Sequence, residues 1–159
     1  MGLHEEILEA RKDLNHNSVK RTVAGLVRYY NEDIMNYENT WTIQDESQLI
    51  ESLMIGISVS YIYSSAPSFG KAKLIDGHQR LKTIQRFLND EFEIEGVTSL
   101  PTLNGFRFSN LSPKMQFDFE ESQIQVIEFS QEFNDEQISL IKGSLARAWS
   151  SAMLNRGRN

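Results

Sequence analysis

Residues 71–89 change abruptly from the pattern of a strand to the pattern of a helix. Lys71–Ile75 has the length and the apolar end of a short strand, and Asp76-Gly77 has the residue types of a sharp turn. Apolar residues then recur at helical spacing after His78, at Leu81, Ile84, Phe87 and Leu88. A strand joined directly to a helix predicts a fold that mixes α and β structure.

The rest of the chain contains both kinds of pattern. Helical spacing or capping residues predict helices at residues 4–14, 19–30 and 45–55, from Ser112-Pro113 onwards and from 134 onwards. Alternating apolar residues predict strands at 58–63 and 123–129, with two more short strands between 92 and 108. Residues 31–42 are expected to be irregular. The sequence therefore predicts a single domain over residues 1–159 that mixes α and β structure.

Length and composition exclude several classes of protein. A chain of 159 residues can form one domain with its own core, but not two full domains. It has no cysteine, which excludes disulfides, thiolate zinc sites and a cysteine nucleophile. The histidines His4, His16 and His78 lack metal-ligand spacing. Without a membrane-length apolar run or a signal-peptide pattern, the expected location is the cytoplasm, with no membrane partner.

Charge is distributed unevenly along the chain. The net charge is −6, from 16 basic and 22 acidic residues, which argues against a general nucleic-acid coat. Basic residues concentrate between Lys71 and Arg86 and again in the C-terminal tail. This distribution favours a phosphate-bearing ligand at one place, although charges can also cluster on a solvated surface without a ligand.

The turn at Asp76-Gly77 carries the residue types of a phosphate site. Free backbone N–H groups and the positive end of the dipole at a helix start bind phosphate, and Gly77 lets a ligand approach the backbone. Arg80 could grip a phosphate with two hydrogen bonds, and Asp76 could hold Mg²⁺ or Mn²⁺. His78 could transfer a proton near neutral pH.

Four more residues are candidates for the same site. Lys73 would add positive charge, and Gln79 and Thr83 could touch a phosphate from the first turns of the helix. Glu51 could be a second metal ligand or a general base facing Asp76. The alternative is purely structural: Asp76 caps the helix, the glycine makes the turn, and the charged side chains point into water.

The order of features along the chain resembles the ParB/sulfiredoxin-like superfamily. It is most similar to the branch with an Asp-Gly-Gln-Gln-Arg signature, found in the N-terminal domains of GmrSD-type modification-dependent restriction enzymes. The matching residues cover about residues 5–130 and are Trp41, Leu49-Ile50-Glu51-Ser52-Leu53, Gly56, Ile62, Ile75-Asp76-Gly77-His78-Gln79-Arg80-Leu81 and Phe87.

This resemblance implies an α+β, ParB-like fold in which helices flank a small mixed sheet. It also implies a domain that binds a nucleoside triphosphate and, in several branches, hydrolyses nucleotides or cleaves DNA. The signature residues carry over to Asp76, Gly77, Gln79 and Arg80, with His78 in place of the commoner glutamine. The chain lacks the Gln-Arg pair that precedes the tryptophan in the family, the Pro-rich segment after the Leu-Ile-Glu-Ser helix and the later Arg-Leu-Asn motif. Residues 134–159 are expected to form a divergent helix and a basic tail.

The leading hypothesis is a small metal-dependent DNA endonuclease or nickase that acts in phage, satellite or defence biology. Asp76 and Glu51 would hold Mg²⁺ or Mn²⁺, and Arg80 with the N–H groups of residues 77–79 would neutralise developing charge. The second hypothesis is a switch or hydrolase that binds a nucleoside triphosphate. The third is a protein-interaction or inhibitor module with a decayed site, which would bind a protein partner through its acidic segments.

Overall fold

A computed structural model describes residues 2–12, 15–67 and 71–143. The helices of this part of the chain are α1 (Leu3–Lys12), α2 (Val23–Tyr29), α3 (Asn31–Met35), α4 (Ile43–Ile55), α5 (His78–Leu88), α6 (Pro113–Glu120) and α7 (135–143). The strands are β1 (His16–Thr22), β2 (Ile62–Ser65), β3 (Lys73–Asp76) and β4 (Gln123–Phe129). Short 3-10 helices form at Pro101–Leu103 and Phe108–Asn110.

The four strands form one mixed sheet in the order β1-β4-β2-β3. β1 and β4 are antiparallel, β4 and β2 are parallel, and β2 and β3 are antiparallel. The pairing of β2 with β3 shifts between Tyr63 and Ser64, and it places Tyr63 opposite Asp76. The predicted α+β fold with a small mixed sheet is thus confirmed.

Hydrophobic side chains pack on both faces of the sheet. The main core joins the sheet to α2, α4 and α5, and its fully buried members include Leu26, Ile50, Leu81, Ile84 and Phe87. A second cluster contains Ile75, Phe129, Phe133 and Ile138. Successive residues of a strand face opposite sides, so Leu74 joins the main core while Ile75 joins the second cluster. Strand β3 is therefore packed on both sides and ends at Asp76 in a fixed position.

Capping residues set the bounds of the well-predicted helices. Thr42 and Asp45 form a capping box at the start of α4, and Gly56 ends that helix with φ 86°. Ser112 accepts a hydrogen bond from Met115 N–H at the start of α6, as the Ser-Pro pair predicted. These local signals explain why the predictions of α4, α5, α6 and β4 are confirmed.

Several predicted elements are wrong or displaced. The predicted helix at 19–30 begins only at Val23, because residues 16–22 form β1, which pairs along its whole length with β4. The two strands expected between 92 and 108 are absent from that described segment, whose buried side chains lie in irregular chain and 3-10 helices. The strand expected at 58–63 lies at 62–65, and the one expected at 71–75 lies at 73–76. Residues 31–35, expected to be irregular, form α3.

The prediction for the C-terminal region can be compared with the structure only as far as residue 143. The helix predicted from residue 134 is present as α7, but residues 144–159, with the expected basic tail, lie outside the described part of the chain. Among the described residues, no helix is both long enough and apolar enough to cross a membrane.

Candidate functional site

The turn between β3 and α5 depends on glycine for a packing reason. Gly77 has φ 120°, a conformation that side-chain-bearing residues rarely adopt. A β-carbon at this position would overlap the Cδ1 atom of Ile62 in the neighbouring strand. The sequence predicted the turn correctly. Gly77 was expected to let a ligand approach the backbone. In the structure, the group that comes close to Gly77 is the side chain of Ile62.

Asp76 is the accessible acidic group of this turn. Its side chain is 43% exposed, and Arg80 Nη2 lies 3.4 Å from its Oδ2 atom. On the neighbouring strand it faces Tyr63, whose pKa is raised by burial and by the negative charge of Asp76. A carboxylate that is open on one side and held by one ion pair on the other can accept an external ligand.

The guanidinium group of Arg80 binds other groups of the protein. Its guanidinium is only 13% exposed, and it donates hydrogen bonds to the carbonyl oxygens of Ser60 and, at 2.9 Å, Tyr61. Burial lowers the pKa of Arg80, while the charge of Asp76 opposes this effect. In this conformation Arg80 therefore cannot make the predicted pair of hydrogen bonds to a phosphate. It instead binds the residues just before β2 and the carboxylate of Asp76.

Gln79 and Thr83 also face inward. Gln79 Oε1 accepts hydrogen bonds from Thr40 N–H and its hydroxyl, at 2.9 and 3.1 Å. Its Nε2 group donates to Asn39 Oδ1 at 2.6 Å and to the buried hydroxyl of Thr83 at 3.3 Å. These bonds occupy the amide of Gln79 and hold the segment before α4 against α5. The predicted phosphate contacts of Gln79 and Thr83 are not available in this arrangement.

His78 lies under an aromatic ring. The imidazole stacks on Tyr37, with ring centroids 5.3 Å apart and planes 25° apart. Burial, together with the positive charges of Lys142 and Lys73, lowers the pKa of His78 to about 4, while the negative charge of Asp76 opposes the shift. The imidazole is therefore neutral at pH 7, so that one ring nitrogen can accept a proton and the acidic proton of an imidazolium is absent.

The two remaining predicted residues have partners of their own. Lys73 Nζ lies 3.5 Å from Asp135 Oδ1 at the start of α7. Glu51 is buried and accepts a hydrogen bond from Leu100 N–H at 2.8 Å, so its carboxylate supports the 3-10 segment. In the described part of the chain, no group of three or more His, Cys, Asp or Glu side chains could hold a metal. A divalent ion here would thus depend on Asp76 with water and substrate phosphates, a donor set that suits Mg²⁺.

A buried ion pair joins α4 to α5 next to the site. The sequence did not predict this pair. Glu46 is fully buried on α4 and lies 2.9 Å from Arg86 Nε on α5. Glu46 also accepts a hydrogen bond from Asn39 Nδ2 at 3.1 Å, and Asn39 in turn binds Gln79. The charge of Arg86, whose side chain is 21% exposed, neutralises this buried carboxylate. The only sequence signal was the helical spacing that puts Glu46 on the same face of α4 as Ile43, Leu49 and Ile50.

Comparison with models of known protein families identifies the family of this chain. The family model described as "GmrSD restriction endonuclease, N-terminal domain" matches residues 36–152, which is more than half of the chain. The chain belongs to this family. The resemblance drawn from the signature is therefore confirmed, and the family indicates a function related to restriction endonucleases and acting on DNA. Searches of curated proteins and of solved structures find no significant match.

Proposed function

We propose that this chain is a small DNA endonuclease that nicks or cuts DNA at a site centred on Asp76. The observation that carries the proposal is the half-exposed Asp76 carboxylate, placed where β3 meets the start of α5 in a domain of the GmrSD family. A carboxylate beside a helix N-terminus combines a metal ligand with a group of phosphate-binding N–H donors.

Backbone donors at the start of α5 can bind the phosphate. The first N–H group that bonds within the helix is that of Leu81, which donates to Gly77 O at 3.0 Å. The N–H groups of residues 78–80 precede this pattern and lie at the positive end of the helix dipole. They can stabilise negative charge that develops on a phosphate during cleavage.

Mg²⁺ or Mn²⁺ is the cofactor that fits this proposal, with Asp76 as its protein ligand. Such an ion activates water and stabilises charge on phosphorus oxygens. Glu51 is excluded from our proposed ligand set because its carboxylate is buried and bonded to Leu100 N–H. Arg80 and Gln79 act as positioning residues, since one orients Asp76 and the other fixes the loop that carries Tyr37 beside His78.

His78 is suited to accept a proton in this site. His78 lies two residues after Asp76, and burial together with two lysine charges keeps its imidazole neutral at physiological pH. With a pKa of about 4 it is a weak base, and its stacking on Tyr37 holds the ring in one orientation. We therefore assign it to proton transfer or to orientation of water, rather than to charge neutralisation.

A nucleoside triphosphate is the second candidate ligand. The same strand–turn–helix geometry can cradle a phosphate chain, and Asp76 could bind its magnesium ion. In that case the site would bind or hydrolyse a nucleotide, and DNA cleavage would be absent or dependent on the nucleotide.

A nicking assay on supercoiled plasmid tests the proposal. The protein is incubated with Mg²⁺ or Mn²⁺, with and without each nucleoside triphosphate, and a chelator serves as the control. Open-circle or linear DNA that forms only with the metal supports an endonuclease. No product with either metal, alongside triphosphate hydrolysis, would replace the endonuclease with the nucleotide hydrolase.

A further inference from the structure

We propose that helix α7 forms one wall of the site and that Lys142 binds a phosphate oxyanion of the substrate there. This inference rests on the proposed function, because it names a phosphate contact of the same site. It concerns a residue outside the signature, on a helix that follows the last strand of the sheet.

Contacts along α7 fix its position over the end of β3. Asp135, at the start of the helix, lies 3.5 Å from Lys73 Nζ. Ile138 is buried in the cluster that contains Ile75, the residue before Asp76 in β3. Positions 135, 138 and 142 share one face of a helix, so the face that contacts β3 also carries Lys142.

The positive charge of Lys142 acts on His78, one of the signature residues. It is the second largest cause of the lowered pKa of His78, after burial and ahead of Asp76 and Lys73. This effect agrees with the packing of Ile138 in the cluster that contains Ile75, which brings the Lys142 face of α7 to the side of the sheet next to the turn. The Lys142 side chain is nevertheless exposed, so a ligand above the start of α5 can reach it.

The other cations around α5 already have partners. Arg80 binds two carbonyl groups, Arg86 binds Glu46, and Lys82 donates to Met35 O at 3.2 Å. Lys73 is paired with Asp135. Within the described residues, Lys142 has no ion pair and no hydrogen bond to a side chain, which leaves its charge for an external anion.

Fluorescence anisotropy with a labelled DNA duplex tests this contact, with Ca²⁺ in place of Mg²⁺ to suppress cleavage. Lys142→Ala should weaken binding and reduce the slope of log K against log salt by about 1, as expected for the loss of one phosphate contact. Lys142→Arg should retain the slope. Lys114→Ala is the matched control, since Lys114 is an exposed lysine paired with Asp118 on α6.

Two phosphate sources are separated by a second titration, with each nucleoside triphosphate and Mg²⁺ followed by calorimetry. If the wild type binds triphosphate but not DNA, and Lys142→Ala weakens that binding, the Lys142 contact stands and the endonuclease proposal fails. If the wild type binds DNA and Lys142→Ala keeps its affinity and salt slope, the Lys142 contact alone is overturned. If the wild type binds neither ligand, both proposals are overturned.

Discussion

The backbone of Gly77 packs directly against the side chain of Ile62. Gly77 has φ 120°, and a β-carbon there would overlap Ile62 Cδ1. We expect Gly77→Ala to lower the free energy of unfolding by about 3 kcal/mol, since the left-handed φ and the overpacking each cost roughly 1–3 kcal/mol. Urea denaturation measures the loss.

Gly105→Ala separates these two costs. Gly105 has φ 88°, and a β-carbon there would meet nothing within 4 Å, so only the backbone cost applies. We expect Gly77→Ala to be the more destabilising change, and Ile62→Val in the Gly77→Ala background to recover part of the difference. Equal losses for the two alanine variants would show that the contact with Ile62 is not the constraint.

The ion pair of Glu46 and Arg86 should contribute far more than a surface pair. Removing one partner of a buried pair costs about 3–5 kcal/mol, because the other charge is left uncompensated. We expect Glu46→Ala to lower the free energy of unfolding by about 3 kcal/mol, the lower end of this range, because Arg86 is partly exposed and stays partly solvated.

A double-mutant cycle with Arg86→Ala measures the coupling between the two residues by chemical denaturation. The Lys114–Asp118 pair on α6 is the exposed reference, and we expect it to couple by less than about 0.5 kcal/mol. A Glu46–Arg86 coupling as small as that of the reference would mean that the buried pair does not hold α4 against α5.

His78 should make the protein less stable in mild acid. Its pKa is lowered to about 4 in the folded state from the ordinary 6.5, so the unfolded chain takes up a proton first as pH falls. The stability contributed by the neutral imidazole is complete above about pH 6.5 and is lost as pH falls toward 4. The expected loss is on the order of 2 kcal/mol, allowing for the partial exposure of the ring.

Thermal unfolding between pH 7 and pH 4.5 tests this dependence on His78. His78→Gln should flatten the profile relative to the wild type, whereas His4→Gln should not, because His4 lies exposed on α1. Parallel profiles for His78→Gln and the wild type would assign the acid sensitivity to other groups.

Arg80 should be needed for the fold as well as for activity. Hydrogen bonds from charged groups contribute about 1.5–3 kcal/mol, and Arg80 binds the carbonyl groups of Ser60 and Tyr61. We expect Arg80→Ala to lower the free energy of unfolding by about 2 kcal/mol and to reduce nicking. An Arg80→Ala variant of wild-type stability that has lost nicking would instead favour a direct phosphate contact.

Local signals predicted the elements that depend on local structure. The capping box at Thr42, the Ser112-Pro113 start and the apolar spacing of α5 each specify a helix within a few residues. Strand β1 was missed because His16–Thr22 is mostly polar and exposed, and its strand structure depends on pairing with β4, more than 100 residues away.

The turn of the candidate site was predicted from the sequence, but the contacts of its side chains were not. The Asp76-Gly77 turn and the start of α5 follow from residue types at adjacent positions. Most partners of Gln79 and Arg80 come from residues 39–61, which the chain brings close only after folding. The effect of Lys142 on the pKa of His78 likewise depends on the fold. The sequence could name the signature residues, but it could not show that two of them bind the protein itself.

The rate of plasmid nicking by Asp76→Asn, compared with Asp118→Asn, tests the endonuclease account most directly. Both aspartates are partly exposed, at 43% and 57%, and both pair with a cation four residues away in sequence. With Mn²⁺ and both variants folded by circular dichroism, we predict wild-type nicking for Asp118→Asn and a loss of about 100-fold or more for Asp76→Asn. Nicking by Asp76→Asn at the rate of Asp118→Asn would contradict the assignment of the reaction to Asp76.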